Sequence, residues 1–285
     1  MTTYAVTGAT GHLGRRAVDE LLDRGVPASD VVAVVRRPEA AAELAGRGVQ
    51  VRHGDYSRPD TLPAALAGVD RLLLVSGSEP GQRVAQHQAV VEAAVAAGVQ
   101  RIVYTSIAHA DTSANPLAPE HRGTEEVLLK ADVPATVLRN SWYLENYTAQ
   151  LDRYLATGEI VGAAGEGRVS IAPRADYAVA AAAALLADEE GTVVLEVGGP
   201  GVTLAELAAA VTEATGTTVR YRDLPADELV ATLQGAGLDA GTAGFVAAID
   251  TSIANGDLDT GDADLAALLG RPVTPLADAV RAARA

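Results

Sequence analysis

The stretch TGATGHLG occupies residues 7–14, directly behind the apolar segment YAV at residues 4–6. Its glycines, Gly8, Gly11 and Gly14, follow the spacing G-x-x-G-x-x-G. Behind a strand, the first glycine of such a run permits a tight turn, the second lets the backbone approach a pyrophosphate, and the third lets a helix pack close to the sheet. Glycine triplets also arise by chance, so a glycine-rich turn without a ligand is the alternative. The position between a strand and a helical pattern favours the phosphate-binding turn.

Strand-like and helical segments alternate outward from this turn through the first half of the chain. The strand-like segments are residues 4–8, 31–36, 49–55, 71–76, 101–106 and 135–140, and the helical segments are residues 12–24, 38–47, 59–67, 80–97 and 117–131. Apolar strands that alternate with helices are typical of a parallel sheet covered on both faces. The sequence therefore predicts the α/β class with a doubly wound (Rossmann) parallel sheet.

The alternation loosens beyond Asn140. A tyrosine-bearing helix (144–156), a glycine-broken segment (158–173), an alanine-rich helix (176–187) and a strand (193–199) follow, and then short helices and Gly/Pro turns. We therefore predict a dinucleotide-binding domain over residues 1–140 and a smaller α/β lobe on the substrate side over residues 141–285, with some segments of the lobe returning to the main sheet. Open α/β sheets bind ligands at the carboxyl ends of their strands, and we expect the lobe to cover that edge.

The charge of the chain is negative and unevenly distributed. The net charge is −15, and the counts of Lys and Arg against Asp and Glu are 14 and 16 in residues 1–140 but 8 and 21 in residues 141–285. Nucleic-acid binding depends on Lys and Arg that neutralise phosphates, so the balance argues against a nucleic-acid partner. The first half, with a net charge of only −2, is the better host for an anionic cofactor.

Cysteine is absent, which excludes disulfides and cysteine-based chemistry and suits a reducing compartment. The chain starts with a strand-like segment rather than a basic region followed by an apolar core, and no apolar run approaches a membrane-spanning length. These features predict a cytoplasmic protein with no membrane partner.

The residues around the turn predict which dinucleotide would bind. The amides of Gly11, His12 and Leu13 and the hydroxyl of Thr10 would donate to the phosphates at the helix N-terminus. NAD-dependent folds usually carry an acid at the end of the second strand, but here the sequence reads VVAVVRRP, which places Arg36 and Arg37 there. A guanidinium can pair with the 2′-phosphate of NADP, so Arg36 favours NADPH. Two solvated arginines without a ligand are the alternative.

Two further strand ends supply weaker candidates. Asp55 closes the third strand and would accept a hydrogen bond from the adenine amino group. Three residues after the fourth strand, Ser76, Gly77 and Ser78, would flank a ribose.

The sequence lacks the catalytic motif that ketone-reducing dehydrogenases use. Short-chain dehydrogenases that reduce ketones use a Tyr-x-x-x-Lys pair, but Lys130 is the only lysine and Glu126 stands four residues before it. Ser106 lies at the end of the fifth strand, where short-chain dehydrogenases have their catalytic serine, but the tyrosine and lysine that act with that serine are missing. His121 is interpreted as structural, and the five histidines lie in no dense ligand pattern, so no metal site is predicted.

A quinone that accepts hydride forms an anion whose conjugate acid has a pKa near ~10, whereas a ketone forms an alkoxide whose conjugate acid has a pKa nearer about 15.7. A quinone therefore needs no acid from the protein.

Aromatic residues cluster just after the sixth strand. Trp142, Tyr143, Tyr147 and Tyr154 lie within thirteen residues in a chain that has one Trp, one Phe and eight Tyr. They predict either a stacking wall for a flat ring or an ordinary core between lobes, and the sequence leaves both open. Asn140 and Tyr143 are the candidate catalytic residues: the amide would hold the nicotinamide or donate to a quinone oxygen, and the phenol ring would supply the stacking face.

Several segments in order along the chain, including TGATGHLGR, AVVRRP, VRHGDYSRPDTL, LLLVSGSEPGQRVAQHQAVVEAA, LRNSWYLENY, RADYA and GRPVTPL, closely resemble type 2 NAD(P)H:quinone oxidoreductases. These form a flavin-free NmrA-like branch of the atypical short-chain dehydrogenases. The resemblance implies direct hydride transfer from NADPH to quinones, without flavin or metal. It also implies cofactor contacts from the 8–13 loop, Arg36, residues 76–78 and the segment Arg139, Asn140, Ser141, Trp142, Tyr143 and Leu144. Ser141 stands where the family's RNGWY motif has glycine.

Two alternatives remain at this point. A reductase of another conjugated acceptor, such as a triphenylmethane dye, is similar to the same family. A non-enzymatic NmrA-like regulator that senses dinucleotides would need no acceptor pocket, and the aromatic segment favours the enzyme over it. We expect a small-molecule acceptor and a protein that is a monomer or a homodimer.

Overall fold

The glycine-rich turn connects the first strand of a seven-stranded sheet to the first helix. The structure is a computed structural model that describes residues 1–284. Within these residues the strands are β1 Tyr4–Thr7, β2 Val31–Val35, β3 Gln50–His53, β4 Arg71–Leu74, β5 Arg101–Ile107, β6 Ala135–Asn140, β7 Trp142–Tyr143, β8 Glu159–Gly162, β9 Val169–Ala172, β10 Val193–Val197, β11 Gly201–Val202 and β12 Arg220–Asp223.

Helices connect and flank these strands. Within the described residues the α-helices are α1 His12–Asp23, α2 Ala42–Gly46, α3 Leu62–Leu66, α4 Arg83–Ala97, α5 Ala118–Lys130, α6 Glu145–Thr148, α7 Leu151–Thr157, α8 Arg174–Leu186, α9 Leu204–Thr215, α10 Ala226–Gly235, α11 Ala240–Ala254, α12 Ala263–Leu269 and α13 Leu276–Arg284. Short 3-10 helices lie at Ala28–Asp30, Pro38–Ala41 and Pro59–Thr61.

The central sheet has the strand order β10-β6-β5-β4-β1-β2-β3. Strand β1 pairs in parallel with β2 on one side and with β4 on the other, so the chain reverses its direction of winding between β1 and β4. The pairs β2–β3 and β4–β5 are also parallel. Right-handed crossovers on both sides of such a reversal place helices on opposite faces, and ligands bind outside the carboxyl ends of the strands at that point. The predicted doubly wound α/β fold is confirmed.

Burial explains why these segments form strands and helices. Strand β2 reads VVAVV, and all five residues are buried, as in a sheet that is covered on both faces. Helix α1 buries Leu13, Ala17, Val18 and Leu21, which recur at the three- and four-residue spacing of one helix face. One core cluster combines residues of β1, β2, β4, β5 and β6 with residues of α3, α4 and α5.

The chain divides into two compact units. Unit 1 comprises residues 1–107, 119–139 and 175–195, and unit 2 comprises residues 108–118, 140–174 and 196–285. Unit 2 contains a sheet of order β11-β9-β7, a two-stranded sheet of β12 and β8, and a small core in which α10 packs on α11. The assignment of cofactor binding to residues 1–140 and of the substrate side to residues 141–285 stays a prediction, because contact density assigns no function to either unit.

Local elements differ from the expectations in the tyrosine-bearing region. The helix predicted over residues 144–156 is two short helices, α6 and α7, and it is preceded by strand β7. Trp142 and Tyr143 pair with Ile171 and Ala172 of β9, so tertiary pairing determines their conformation. The segment predicted to be broken by glycines contains the two short strands β8 and β9. The helices predicted over residues 38–47 and 59–67 begin as 3-10 turns with a proline at the start.

Candidate cofactor and acceptor sites

The geometry of the turn explains two of its three glycines. Gly8 has φ +58°, a conformation that L side chains rarely adopt. A Cβ atom on Gly14 would lie 2.4 Å from the carbonyl oxygen of Gly8, so helix α1 reaches this distance from the turn only with glycine at position 14. Gly11 donates its N–H to the Gly8 carbonyl at 2.8 Å, which closes the turn. The turn therefore requires glycine at position 8 for its backbone conformation and at position 14 for the close packing of helix α1.

The start of helix α1 carries unused donors beside this turn. Gly11 is the N-cap and supplies no side chain to cap the helix. The first amides of a helix have no intrahelical acceptor, and the helix dipole attracts negative charge to them. Thr10, Gly11 and His12 are exposed, whereas Leu13 and Gly14 are buried against the core. A polar cavity of about 350 Å³ lies against this end of the helix, and its walls include Thr10, Gly11, His12 and Arg15. Asp19 and Glu43 also line it, and both carboxylates pair with the Arg15 guanidinium. These features fit the diphosphate of a dinucleotide.

Arg36 lies at the end of β2, as predicted, and it is exposed. Its guanidinium Nη1 contacts Glu79 Oε1 at 3.3 Å, and the two side chains are 70% and 47% exposed. Such a pair contributes about 0–1 kcal/mol, so the guanidinium can leave Glu79 for a phosphate at little cost. Arg37 is also exposed and precedes the 3-10 turn at Pro38–Ala41.

Asp55 and residues 76–78 follow β3 and β4. Asp55 Oδ1 accepts from the Ser57 amide at 2.9 Å, so this carboxylate also holds its own loop. The Ser76 amide donates to Thr105 Oγ1 at 2.9 Å, and the Gly77 amide donates to His87 Nε2 at 2.9 Å. Ser78 is exposed. The loop after β4 is thus held by side chains, at the strand end that neighbours β1.

Arg139 is engaged in a buried ion pair. Its guanidinium donates to both carboxylate oxygens of Glu125, at 3.0 and 2.7 Å. Ser106 Oγ donates to the same carboxylate at 2.5 Å, and all three residues are buried. A cofactor contact from Arg139 would therefore come from its backbone, and the assignment of Arg139 to the cofactor stays a prediction.

His121 is enclosed in the core of unit 1. Its Nδ1 lies 2.8 Å from the Tyr104 hydroxyl, and burial lowers the pKa of His121 to about 3. The imidazole is neutral at physiological pH, so no imidazolium is present to act as a general acid. This environment agrees with the structural interpretation of His121.

The candidate catalytic pair lies together in unit 2. Asn140 Nδ2 is 3.3 Å from the Tyr143 hydroxyl, and the Arg174 guanidinium lies 4.8 Å from the centre of the Tyr143 ring. Arg174 is in turn 3.8 Å from Glu145, whose carboxylate also accepts from the Arg174 amide. Burial raises the pKa of Tyr143 above its ordinary value, so its hydroxyl stays protonated. The pair offers an amide, a phenol and an aromatic face within one side-chain cluster.

The neighbours of this pair have structural contacts. Ser141 is buried and donates from Oγ to the Leu258 carbonyl at 2.7 Å. This bond has no counterpart in a chain with glycine at that position. Trp142 is half-buried in β7, and Leu144 is buried and donates its amide to the Ala172 carbonyl at 2.9 Å. Their roles at the cofactor stay predictions.

The sequence reasoning missed several polar residues behind the turn, among them Thr7, Tyr56, His87 and Thr105. The Thr7 hydroxyl accepts from the Val75 amide at 3.0 Å, and the Tyr56 hydroxyl donates to the Val75 carbonyl at 2.9 Å. A signal existed for His87, because it shares the face of α4 that buries Val90, Val91 and Ala94. A polar residue on an apolar helix face needs a buried partner.

Two features are absent from residues 1–284. No group of three or more His, Cys, Asp or Glu side chains there is arranged to hold a metal ion. None of the helices in this part of the chain has the length and apolar character needed to cross a bilayer.

Comparison with known proteins gives consistent matches. A family model described as NAD(P)H-binding matches residues 8–189. Quinone oxidoreductase 2 of Escherichia coli (strain K12) is 45% identical over 277 residues, which are 97% of this chain and 96% of that protein. A crystal structure of the E. coli NADPH-dependent quinone oxidoreductase complexed with NADPH has a TM-score of 0.94 and 44% identity over 99% of this chain and 100% of that chain.

A second enzyme has a similar fold and a different acceptor. The Citrobacter sp. triphenylmethane reductase complexed with NADP(H) has a TM-score of 0.92 and 37% identity, and the match covers 99% of this chain and 100% of that chain. The chain is thus a Rossmann-fold protein with a glycine-rich turn between its first strand and its first helix. It belongs to the NAD(P)H-binding family, and the resemblance to type 2 NAD(P)H:quinone oxidoreductases is confirmed.

Proposed function

We propose that this protein is an NADPH-dependent, flavin-free reductase that transfers hydride directly to quinones. The observation that carries the proposal is the glycine turn before the uncapped start of helix α1, at the point where the winding reverses, with the exposed Arg36 at the adjacent strand end. The full-length similarity to a quinone oxidoreductase supports the same acceptor class.

The single lysine and the two buried histidines supply no acid, which favours an acceptor that needs none. Lys130 is 79% exposed and lies 3.7 Å from Glu126, on an outer face of α5. Burial lowers the pKa values of His87 and His121 to about 3. A ketone would leave an alkoxide that requires a proton at once, whereas the hydroquinone monoanion is stable enough to take its proton from water.

Positioning is therefore the main task of the chain. NADPH supplies the hydride when bound. The amides of Gly11, His12 and Leu13 would hold the diphosphate, and Arg36 would pair with the 2′-phosphate. Holding the reacting atoms in an attack-ready geometry is worth several kcal/mol of barrier.

The acceptor end is assigned to Asn140 and Tyr143. The Asn140 amide would orient the nicotinamide or donate to the quinone oxygen on which charge develops, and the ring of Tyr143 would face the acceptor. Two electrons and one proton move as the hydride, the quinone becomes the hydroquinone monoanion, and water supplies the second proton.

The remaining assignments belong to the same proposal. We expect no flavin, no metal and no nucleic-acid or membrane partner, a cytoplasmic location, and a monomer or homodimer. A triphenylmethane dye is the alternative acceptor, favoured by the similarity to the Citrobacter enzyme. A dinucleotide-sensing regulator is the non-enzymatic alternative, and the Asn140–Tyr143 cluster argues for turnover.

One assay separates these functions. Purified protein is mixed with NADPH and a panel of benzoquinones, naphthoquinones and a triphenylmethane dye, and NADPH oxidation is followed without added flavin. We expect turnover with quinones, a colourless enzyme, and faster reaction with NADPH than with NADH. NADPH binding without oxidation of any acceptor would indicate the regulator. A stoichiometric flavin spectrum in the active protein would contradict direct hydride transfer.

A further inference from the structure

The backbone immediately after β4 is held by side chains rather than by neighbouring strands. The amides of three consecutive residues each donate to a side chain: Val75 to Thr7 Oγ1 at 3.0 Å, Ser76 to Thr105 Oγ1 at 2.9 Å, and Gly77 to His87 Nε2 at 2.9 Å. The Gly77 carbonyl accepts from Arg83 Nε at 2.8 Å. Because β4 ends at Leu74, these bonds determine the path of the chain at the predicted ribose segment.

His87 has its two ring nitrogens assigned by their partners. A backbone amide can only donate, so Nε2 accepts from Gly77 and carries no proton. The single proton of the neutral ring is then on Nδ1, which lies 3.0 Å from Thr124 Oγ1. Thr124 in turn donates to the Glu120 carbonyl at 3.1 Å. The chain of donors runs in one direction, from Gly77 to His87 to Thr124 to Glu120.

The surroundings of His87 keep the ring in this form. Its side chain is fully buried, and Tyr56 and Tyr104 contact it edge-on with ring centroids at 5.9 and 5.4 Å. Burial, and to a lesser extent the charge of Arg83, lowers the pKa of His87 to about 3. A protonated ring would turn Nε2 into a donor facing a donor, and the Gly77 bond would be lost.

We propose that His87 is a positioning residue for the cofactor: its Nδ1-protonated ring fixes the Gly77 amide and so aligns residues 76–78 with the bound dinucleotide. The inference rests on the proposed function, because it takes residues 76–78 as the ribose segment. His87 acts through Gly77 and touches neither the cofactor nor the acceptor.

Two substitutions of His87 each keep one of the two hydrogen bonds of the ring and remove the other. In His87→Gln the side-chain oxygen can take the place of Nε2, so the Gly77 bond is kept and the Thr124 bond is lost. In His87→Asn the amide nitrogen can take the place of Nδ1, so the Thr124 bond is kept and the Gly77 bond is lost. Thr124→Val is the matched control, because it removes the same chain of bonds at the end away from Gly77.

Cofactor affinity, measured by NADPH titration without quinone, is the first readout. One lost neutral hydrogen bond costs roughly two- to tenfold in an equilibrium constant. We expect His87→Asn to raise the Kd for NADPH about three- to tenfold, and His87→Gln and Thr124→Val to change it less than about twofold, although Thr124→Val lowers Tm. Equal Kd values in His87→Asn and wild type would overturn the inference, as would Asn and Gln variants that weaken binding equally.

Nitrogen NMR of the histidine rings gives a test that needs no variant. Wild type at pH 7 should contain one histidine with an unprotonated Nε2 assigned to His87, and NADPH should shift its signals more than those of His121. A protonated Nε2 in His87, or His87 signals that do not respond to saturating NADPH, would contradict the proposal. If wild type binds NADPH with these signatures but reduces no acceptor, the proposed function fails and this inference stands. If wild type binds no NADPH, both fail.

Discussion

The two units differ in how their buried ionisable side chains are stabilised. In unit 1 the buried ionisable side chains have specific partners: His87 and His121 are neutral and hydrogen-bonded, and Arg139 is paired with Glu125. In unit 2 the carboxylate of Asp250 is 7% exposed and accepts from the Ala163 amide at 2.8 Å. Asp223 lies close enough to raise its pKa further.

This difference separates two kinds of site. Unit 1 holds its backbone at the strand ends through glycines and side-chain bonds, and we propose that these bonds preorganise the cofactor site. Unit 2 brings together an amide, a phenol and a guanidinium around Tyr143, on short strands and helices. We therefore expect changes in unit 1 to act on dinucleotide binding, and changes in unit 2 to act on turnover or stability.

The largest effect is expected at Gly14. A Cβ atom there would lie 2.4 Å from the Gly8 carbonyl oxygen and 2.8 Å from its carbon, and both are backbone atoms that cannot move without opening the turn. Gly14→Ala should weaken NADPH binding by more than about 100-fold, equivalent to about 2.7 kcal/mol. Isothermal titration measures this, and circular dichroism checks the fold.

Gly46→Ala is the matched control for that substitution. Gly46 lies in helix α2 of the same unit, and a Cβ atom there meets no atom within 4 Å. Alanine should bind NADPH normally and raise stability by up to about 1 kcal/mol. NADPH affinity that survives in Gly14→Ala would show that the turn does not hold the diphosphate.

Arg36 tests whether unit 1 selects the phosphorylated cofactor. Losing a charge-assisted contact with the 2′-phosphate costs about 1.5–3 kcal/mol, or roughly ten- to 150-fold in affinity. Arg36→Ala should lose that much affinity for NADPH and little for NADH. Titration of both cofactors gives the ratio, with Arg37→Ala as the neighbouring control. If Arg36→Ala and wild type bind NADPH equally, Arg36 does not contact the phosphate.

The features that follow local rules of spacing could be predicted from the sequence. The glycine turn, the apolar strands and Arg36 follow rules of spacing along the chain, so the fold and the position of these residues at strand ends could be predicted. Asn140 is predicted from its place at the end of the sixth strand and Tyr143 from the aromatic cluster and the missing Tyr-x-x-x-Lys pair, and their side chains meet at 3.3 Å. What could not be predicted depends on contacts between distant segments.

Arg139 illustrates that limit. Nothing in LRN shows that its guanidinium lies on Glu125, because the pairing requires the final distance between β6 and α5. The strand at Trp142 and Tyr143 could not be predicted for the same reason, because its pairing partner β9 is almost thirty residues further along the chain. His87 could have been found from its place on the apolar face of α4, but its partner Gly77 required the turn geometry.

Asn140 and Tyr143 test the expectation that unit 2 acts on turnover. Asn140→Ala removes a positioned amide, and Tyr143→Ala removes the ring against Arg174. We expect kcat/KM for quinones to fall about ten- to 100-fold in each, in line with the loss of one positioned donor or stacking face. The Kd for NADPH should change less than about threefold.

Steady-state kinetics and direct titration separate the two effects. Tyr143→Phe keeps the ring and loses the hydroxyl, so it should retain most activity if stacking is the main role. Normal quinone kinetics in both alanine variants would remove this cluster from the acceptor site. His121→Ala in a folded protein should change turnover only slightly. If this variant lost all turnover, His121 would have to act as an acid catalyst in the mechanism.

The smallest effect concerns the stability of unit 2 against pH. Burial and the nearby Asp223 raise the pKa of Asp250 to about 6, from an ordinary value of 3.8. Between these two values the folded protein binds a proton that the unfolded chain does not. The stability that Asp250 contributes is therefore present below about pH 4 and is lost as pH rises through about 6, because the folded chain must then bury a carboxylate.

Asp250→Asn removes this cost and keeps an oxygen that can accept from the Ala163 amide. We expect the variant to be more stable than wild type by about 1 kcal/mol at pH 8, below the upper bound of about 3 kcal/mol set by two pKa units, because the new amide protons also need partners. Urea unfolding of both proteins from pH 4 to 8 measures the gap, which should close near pH 4. Acid destabilisation through His87 and His121 affects both proteins alike and cancels in the difference. A gap that is constant across this range, or one that widens toward acid, would mean that the Asp250 carboxyl is not desolvated in the folded protein.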